Sequence, residues 1–94
     1  MFKKMRSINL PYQEQGEIYF TCLNYSSKPE TVQRNIDSLC AACGGDYRDA
    51  LFETVTTNQS IDAVALKHNL SPSMLYRLRK NFYETWDNKK IKGE

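Results

Sequence analysis

Only one histidine, His68, occurs in the 94 residues, and no Gly-rich phosphate loop, recognisable carboxylate pair or activated nucleophile accompanies it. General acid–base and nucleophilic chemistry need such groups, so the sequence reads as a non-enzyme with no cofactor and no small-molecule substrate. Long apolar runs are missing too. None approaches the roughly 20 residues of a membrane-spanning helix, and the first residues lack the charged, apolar and small-residue succession of a secretory signal. A cytoplasmic location without a membrane partner is therefore expected. Low-complexity tracts and internal repeats are also absent, which leaves one small domain, 1–94, with a limited core.

Cysteine is scarce and odd in number. Cys22, Cys40 and Cys43 do not make a disulfide framework. Cys40-Ala-Ala-Cys43 has the spacing of a redox pair, but such a pair wants its nucleophile at a helix start, where the dipole lowers the thiol pKa. Here it precedes Gly44-Gly45, a helix end. A zinc site would have to add His68 to the three cysteines. Small, buried, apolar side chains are the simpler description, and no metal is expected.

What the chain does have is a local pattern at residues 60–80 that predicts a helix-turn-helix. A first helix from about Ser60 to His68 buries Ile61, Val64 and Ala65 on one face. Asn69 tolerates the left-handed conformation that a sharp turn requires, and Leu70 plugs that turn. Ser71 supplies an N-cap oxygen, with Pro72 at the first helical position. The second helix carries Leu75, Leu78 and Phe82 at spacings of three and four, an inward stripe. Small Ala65 lets the two helices cross closely.

Such a pair points to DNA, because its second helix fits the major groove while the first crosses the backbone. With the stripe inward, Ser73, Tyr76, Arg77 and Lys80 face outward. Arg77 is suited to two parallel hydrogen bonds on a guanine edge, or one to phosphate. Ser73 is close enough to the helix start to touch a base, and Tyr76 suits a thymine methyl or a phosphate. Arg79 and Lys80 are expected nearer the sugar-phosphate rail. Gln59 and Ser60, with Ser71 at the second helix start, complete the candidate DNA-binding set through exposed helix-start amides. A helical corner with solvated charges is the plainer reading of the same pattern.

Charge distribution agrees with DNA binding. The whole chain is only +2. From Lys67 onward seven basic residues face three acidic ones, a net +4, whereas residues 1–66 hold six basic and eight acidic groups, a net −2. The positive excess thus coincides with the candidate recognition helix. Lys3, Lys4 and Arg6 form a second cluster, either a groove-reaching arm or a solvated terminus.

Upstream, Ser27-Lys-Pro-Glu30 resembles a capping box. Val32, Ile36, Leu39, Cys40 and Cys43 follow at helical spacing, with Gln33, Arg34 and Asp37 toward water. Gly44-Gly45 ends that helix. Asp46 is placed to cap the next, whose inner face comprises Tyr47, Ala50, Leu51, Val55 and Phe52. Glu17 to Tyr25 has strand-favouring residues, but no partner strand exists elsewhere, so a short helix burying Ile18, Cys22 and Leu23 is expected. The last helix runs on through Phe82, Tyr83 and Trp86. The expected fold is all-α, a small bundle of about four to five helices. Residues 1–26 make an N-terminal arm and oligomerisation segment, 27–58 support helices, 59–86 the helix-turn-helix and 87–94 a frayed, charged tail.

Tyr47-Arg-Asp-Ala-Leu-Phe, Ser60-Ile-Asp-Ala-Val-Ala-Leu-Lys-His-Asn-Leu-Ser and Met74-Leu-Tyr-Arg-Leu together resemble the small transcription regulators of enterobacterial fimbrial operons, the P-pilus regulator type. Ile18-Tyr19-Phe20-Thr21-Cys22-Leu23 is similar to the aromatic-apolar segment near their N-terminus. The resemblance implies a nucleoid-associated bacterial homo-oligomer that binds A/T-rich double-stranded DNA cooperatively and switches adhesin expression. Plasmid or phage repressors with a similar compact motif are the alternative family. A different class of function, a helical adaptor that binds protein through the Trp86 and Tyr19 region without DNA, also fits the composition.

Overall fold

A computed structural model describes residues 2–92. Six α-helices follow one another: α1 (Tyr12–Leu23), α2 (Glu30–Gly44), α3 (Arg48–Thr56), α4 (Ile61–His68), α5 (Pro72–Thr85) and α6 (Asn88–Lys92). Single 3-10 turns, Tyr25–Ser27 and Gly45–Tyr47, join α1 to α2 and α2 to α3. No strand occurs among the described residues, so the all-α expectation holds.

Two apolar clusters hold the helices together. The larger gathers Ile8, Ile18, Cys22, Val32, Ile36, Cys40, Leu51, Val55, Phe82, Tyr83 and Ile91, drawn from five helices and the N-terminal segment. The smaller, Ala50, Ile61, Val64, Ala65 and Leu75, is the core of the α4–α5 corner. Leu78 packs against both. Helix α5 is therefore the shared strut, since Leu75 enters one cluster and Phe82 the other, each with no exposed surface. The apolar spacing read from the sequence produces this, because residues three and four apart stack on one side of a helix.

The N-terminal segment is folded onto α1 rather than extended as an arm. Phe2 is buried against the rings of Tyr12, Tyr19 and Phe20, with centroid separations of 5.6, 4.9 and 6.5 Å. Gln15, fully buried, acts as its clamp. Its Oε1 accepts from the Met5 N–H at 2.8 Å, while Nε2 lies 3.0–3.1 Å from the carbonyls of Met5, Ile8 and Leu10. Two amide hydrogens are shared among those three acceptors. A segment with no helix or strand of its own thereby has one N–H and three carbonyls paired from a single side chain.

Several local expectations are corrected. Ser27 caps nothing, because it lies in the 3-10 turn and donates to the Asn24 carbonyl at 2.9 Å. Pro29 occupies the N-cap of α2, and Glu30 pairs with Arg34 instead of reaching back. Asp46 and Tyr47 are taken up by the second 3-10 turn, so Asp46 does not cap α3 and Tyr47 is exposed. Gly45, at φ +56°, makes the left-handed exit from α2 that glycine allows. Helix α1 starts at Tyr12, five residues earlier than Glu17. It buries Ile18 and Cys22 as expected, while Leu23 is half-buried. Helix α5 stops at Thr85, with Trp86 as its C-cap.

The tail is the largest departure. Residues 88–92 form α6, which puts Ile91 into the main cluster instead of fraying. The Asn35 side-chain amide donates to the carbonyls of Lys90 and Ile91 at 2.8 and 3.0 Å. These are C-terminal carbonyls that a helix leaves unpaired. Gly93 and Glu94, the end of the expected tail, lie outside the described residues.

Candidate nucleic-acid interface

Both helices of the corner begin with a serine cap. Ser60 Oγ accepts from the Ala63 N–H at 3.1 Å, and Ser71 Oγ from the Met74 N–H at 3.2 Å. Each oxygen satisfies a first-turn donor that the helix itself leaves unpaired. Pro72 follows Ser71 at the first helical position, where no donor is lost.

The turn between them is a left-handed helix stop. Asn69 has φ 62° and ψ 42°, the only non-glycine residue at positive φ among those described. The Leu70 N–H donates to the Ala65 carbonyl at 2.8 Å and the Asn69 N–H to the Leu66 carbonyl at 3.3 Å. That pair of bonds is the Schellman arrangement. Leu70 packs back on the cluster that contains Ala65 and so fixes the exit direction of the chain.

With Leu75 and Phe82 inward, the outer face of α5 follows from helical rotation of about 100° per residue. Ser73, Tyr76, Arg77 and Lys80 then fall within a sector of about 100°, and Arg79 lies about 60° outside it, beyond Tyr76. Ser73, Tyr76 and Arg77 are exposed, and Ser73 Oγ stands 3.2 Å from Ser71 Oγ. Arg77 makes no ion pair among the described residues. Lys80 is half-buried, with its Nζ 3.2 Å from the Glu84 carboxylate. Glu84 in turn accepts from the Asn9 N–H at 2.9 Å, and this bond, ahead of Lys80, holds its pKa below the ordinary value. Gln59 and Ser60 are exposed at the opening of α4, and no hydrogen bond links them to the α5 group.

Arg79 is turned differently from its neighbours. Its guanidinium carbon sits 5.2 Å from the centre of the Tyr76 ring. Its Nε is shut off from solvent and has no hydrogen-bond partner among the described residues. Burial lowers its pKa, an effect opposed by nearby Tyr83 and Tyr76.

The charge asymmetry of the sequence is partly cancelled in three dimensions. Lys67 reaches Glu53 of α3 at 3.0 Å and Lys92 reaches Glu17 of α1 at 2.6 Å. Two carboxylates from the acidic half thus neutralise cations of the basic half. Among the described residues after Lys67, only Arg77, Lys89 and Lys90 are exposed cations without an ion pair.

Tyr19 also bears on the site. Its hydroxyl donates to Asn58 Oδ1 at 3.0 Å and so ties α1 to the connection that leads into α4. The sequence gives no signal for this bond, which joins residues 39 apart. The Tyr76–Arg79 pair lies at a spacing of three on one helix, which permits the contact, but the sequence pattern places Arg79 toward the sugar-phosphate rail instead.

Cys22 and Cys40 belong to the larger apolar cluster, and Cys43 packs against it. Cys22 and Cys40 are buried, and burial pushes both thiols up, Cys40 to about 12. Cys43 is half-buried and also raised by burial. His68 turns to Glu53 on the α3–α4 side, with Nε2 3.5 Å from its carboxylate. No helix of the described residues is long and apolar enough to cross a membrane. No protein-family model, no curated protein and no solved structure matches this chain.

Proposed function

We propose that the chain is a sequence-selective DNA-binding transcription regulator that acts as a homo-oligomer. The reading rests on one observation above the others. Asn69, Leu70 and Ser71 close a left-handed turn that leaves Ser73, Tyr76 and Arg77 together on the outer face of α5. A helix so presented has the width and chemistry for the major groove. One such pair spans only a few base pairs, so useful affinity needs two or more copies, spaced by a helical turn of DNA or a multiple of it. The exposed Tyr12 and Phe20 on α1 supply apolar surface for that association. The resemblance to fimbrial-operon regulators adds an A/T-rich site in the control region of an adhesin operon as the setting.

The same exposed aromatics favour one other reading, a helical adaptor that binds a protein and not DNA. Titrating labelled duplex DNA at several salt concentrations separates the two. A regulator gives a log–log slope of several units, because each phosphate contact releases counterions, whereas an adaptor gives no salt-dependent affinity. On the best site, Arg77→Ala is expected to cost on the order of 1–3 kcal/mol if Arg77 reads a base. A loss uniform across sequences assigns it to phosphate, and unchanged binding to every duplex removes it from the contact surface.

A further inference from the structure

We propose that Arg79 is a positioning residue rather than a phosphate ligand, and that it holds the Tyr76 ring so that Tyr76 recognises thymine methyl groups. This inference rests on the DNA-binding reading above. Long side chains on a helix lean back over the preceding turn, so a residue at position 79 naturally covers one at 76. Here the guanidinium carbon stands 5.2 Å from the ring centre, within the range of cation–π attraction. The Nε is sealed from solvent and unpartnered among the described residues, so that donor faces the protein and is not offered to a polyanion. A forked contact to phosphate that uses Nε would require Arg79 to leave this position.

Tyr76 itself stays 47 % exposed with its neighbour's cation against it. A pinned ring loses little rotamer freedom on contact with a base, and preorganisation of this kind converts contact into affinity. The flanks of the ring fit the same role. Ser73 and Arg77 lie beside it on the outer sector of α5, and neither is used in the core. The ligand chemistry of the site is therefore a base pair carrying a 5-methyl group, flanked by a hydrogen-bonding edge within reach of Arg77.

The experiment uses the full chain and the tightest duplex it recovers from a randomised pool. Each thymine of that duplex is replaced in turn by uracil, which lacks only the methyl. For the wild type, at least one replacement is expected to weaken binding about fourfold, the transfer value of one methyl. Arg79→Met and Arg79→Lys should both abolish that discrimination, as should Tyr76→Ala. All three should leave the slope of log K against log salt unchanged. Lysine keeps the charge without the planar stack, and so separates the two roles.

A slope that falls by about one unit in Arg79→Met, with thymine still preferred over uracil, would make Arg79 a phosphate ligand and overturn the proposal. A second measurement needs no DNA. In the free protein the Arg79 Hε resonance should be ring-shifted and protected from solvent exchange, and the ring shift should disappear in Tyr76→Leu. Exchange as fast as that of Arg77 would remove the stack and the proposal with it. If the wild type binds no duplex at all, the regulator reading fails first, and the Hε resonance then reports an arginine–tyrosine pair of structural use only.

Discussion

In the α4–α5 corner nearly every turn is closed by near neighbours in sequence: Ser60 caps Ala63, Ser71 caps Met74, and Leu70 bonds back to Ala65. Residues 2–10 are ordered by the opposite means. Gln15 clamps Met5, Ile8 and Leu10 from the next helix, and Glu84 holds the Asn9 N–H across 75 residues. The corner carries its instructions locally, while the N-terminal segment borrows its geometry from the finished fold. The division bears on the proposed function, because sites carried on rigid, locally closed elements hold their geometry more closely than sites on loops.

Helix α5 is where the two regions meet, and cutting it there should have the largest effect. Phe82→Ala removes a fully buried ring that packs on Tyr83 and Trp86 at 6.1 and 5.8 Å. A loss of about 3–5 kcal/mol is expected. Because Leu78 joins the two clusters, chemical denaturation should remain a single transition. If helicity and the environment of Trp86 were lost at different denaturant concentrations, the two clusters would be separate folding units.

Gln15→Leu should divide the regions. The substitution keeps an apolar body of similar size but strands the Met5 N–H and the Leu10 carbonyl, while the carbonyls of Met5 and Ile8 still accept from the Ile8 and Leu10 N–H groups. About 2–4 kcal/mol is expected, from one or two buried polar groups left unpaired. Hydrogen exchange should quicken in residues 2–10 and in α1 while Leu75 and its neighbours stay protected. Uniform acceleration across the chain would mean that the clamp supports the whole molecule and not only its first segment.

Smaller still are the local devices of the corner. Ser71→Ala should cost about 1 kcal/mol through the lost cap. Asn69→Gly should be close to neutral or mildly stabilising, because glycine adopts the left-handed region without strain. Both changes are read by thermal melting. A cost for Asn69→Gly as large as that for Ser71→Ala would show that the Asn69 side chain, and not its backbone angle, makes the turn.

The same division explains which parts of the fold were legible in sequence. The cap, turn and stripe of residues 60–82 each depend on residues within five positions, so their chemistry is visible in the string. The apolar faces of α2 and α3 were equally readable, because Val32, Ile36, Cys40, Leu51 and Val55 keep helical spacing. Ser27 and Asp46 misled because cap chemistry also suits the 3-10 turns that claimed them. Helix α6 was hidden for a different reason. Five residues with three lysines have the composition of a solvated end. Only Asn35 and a berth for Ile91, both distant in sequence, convert them into a packed helix. Of the candidate interface, the outward set on α5 was readable, but the stacking of Arg79 on Tyr76 and the Glu17 and Glu53 pairings were not. They depend on which side chains the fold brings close.

One contact tests whether the corner is as self-sufficient as its caps suggest. Glu53 of α3 accepts from Lys67 at 3.0 and 3.2 Å and meets His68 at 3.5 Å, so a carboxylate outside the pair grips the end of α4. The Lys67 bond, followed by the His68 contact, holds the Glu53 pKa below its ordinary 4.5, against partial burial that raises it. Between the folded and unfolded values the unfolded chain binds the extra proton, so stability there rises with pH. The contribution is complete above the ordinary carboxylate pKa and is lost as pH falls through the depressed one. Lys67 is 61 % exposed, so screening limits the pair to a few tenths up to about 1 kcal/mol at neutral pH. Glu53→Gln should therefore lower the urea midpoint slightly at neutral pH and leave it unchanged in acid, where the wild type has lost the same charge. High salt should shrink the neutral-pH difference. A difference that persists undiminished in acid would assign the effect to packing of the Glu53 stem, and α4 would then owe its placement to shape and not to charge.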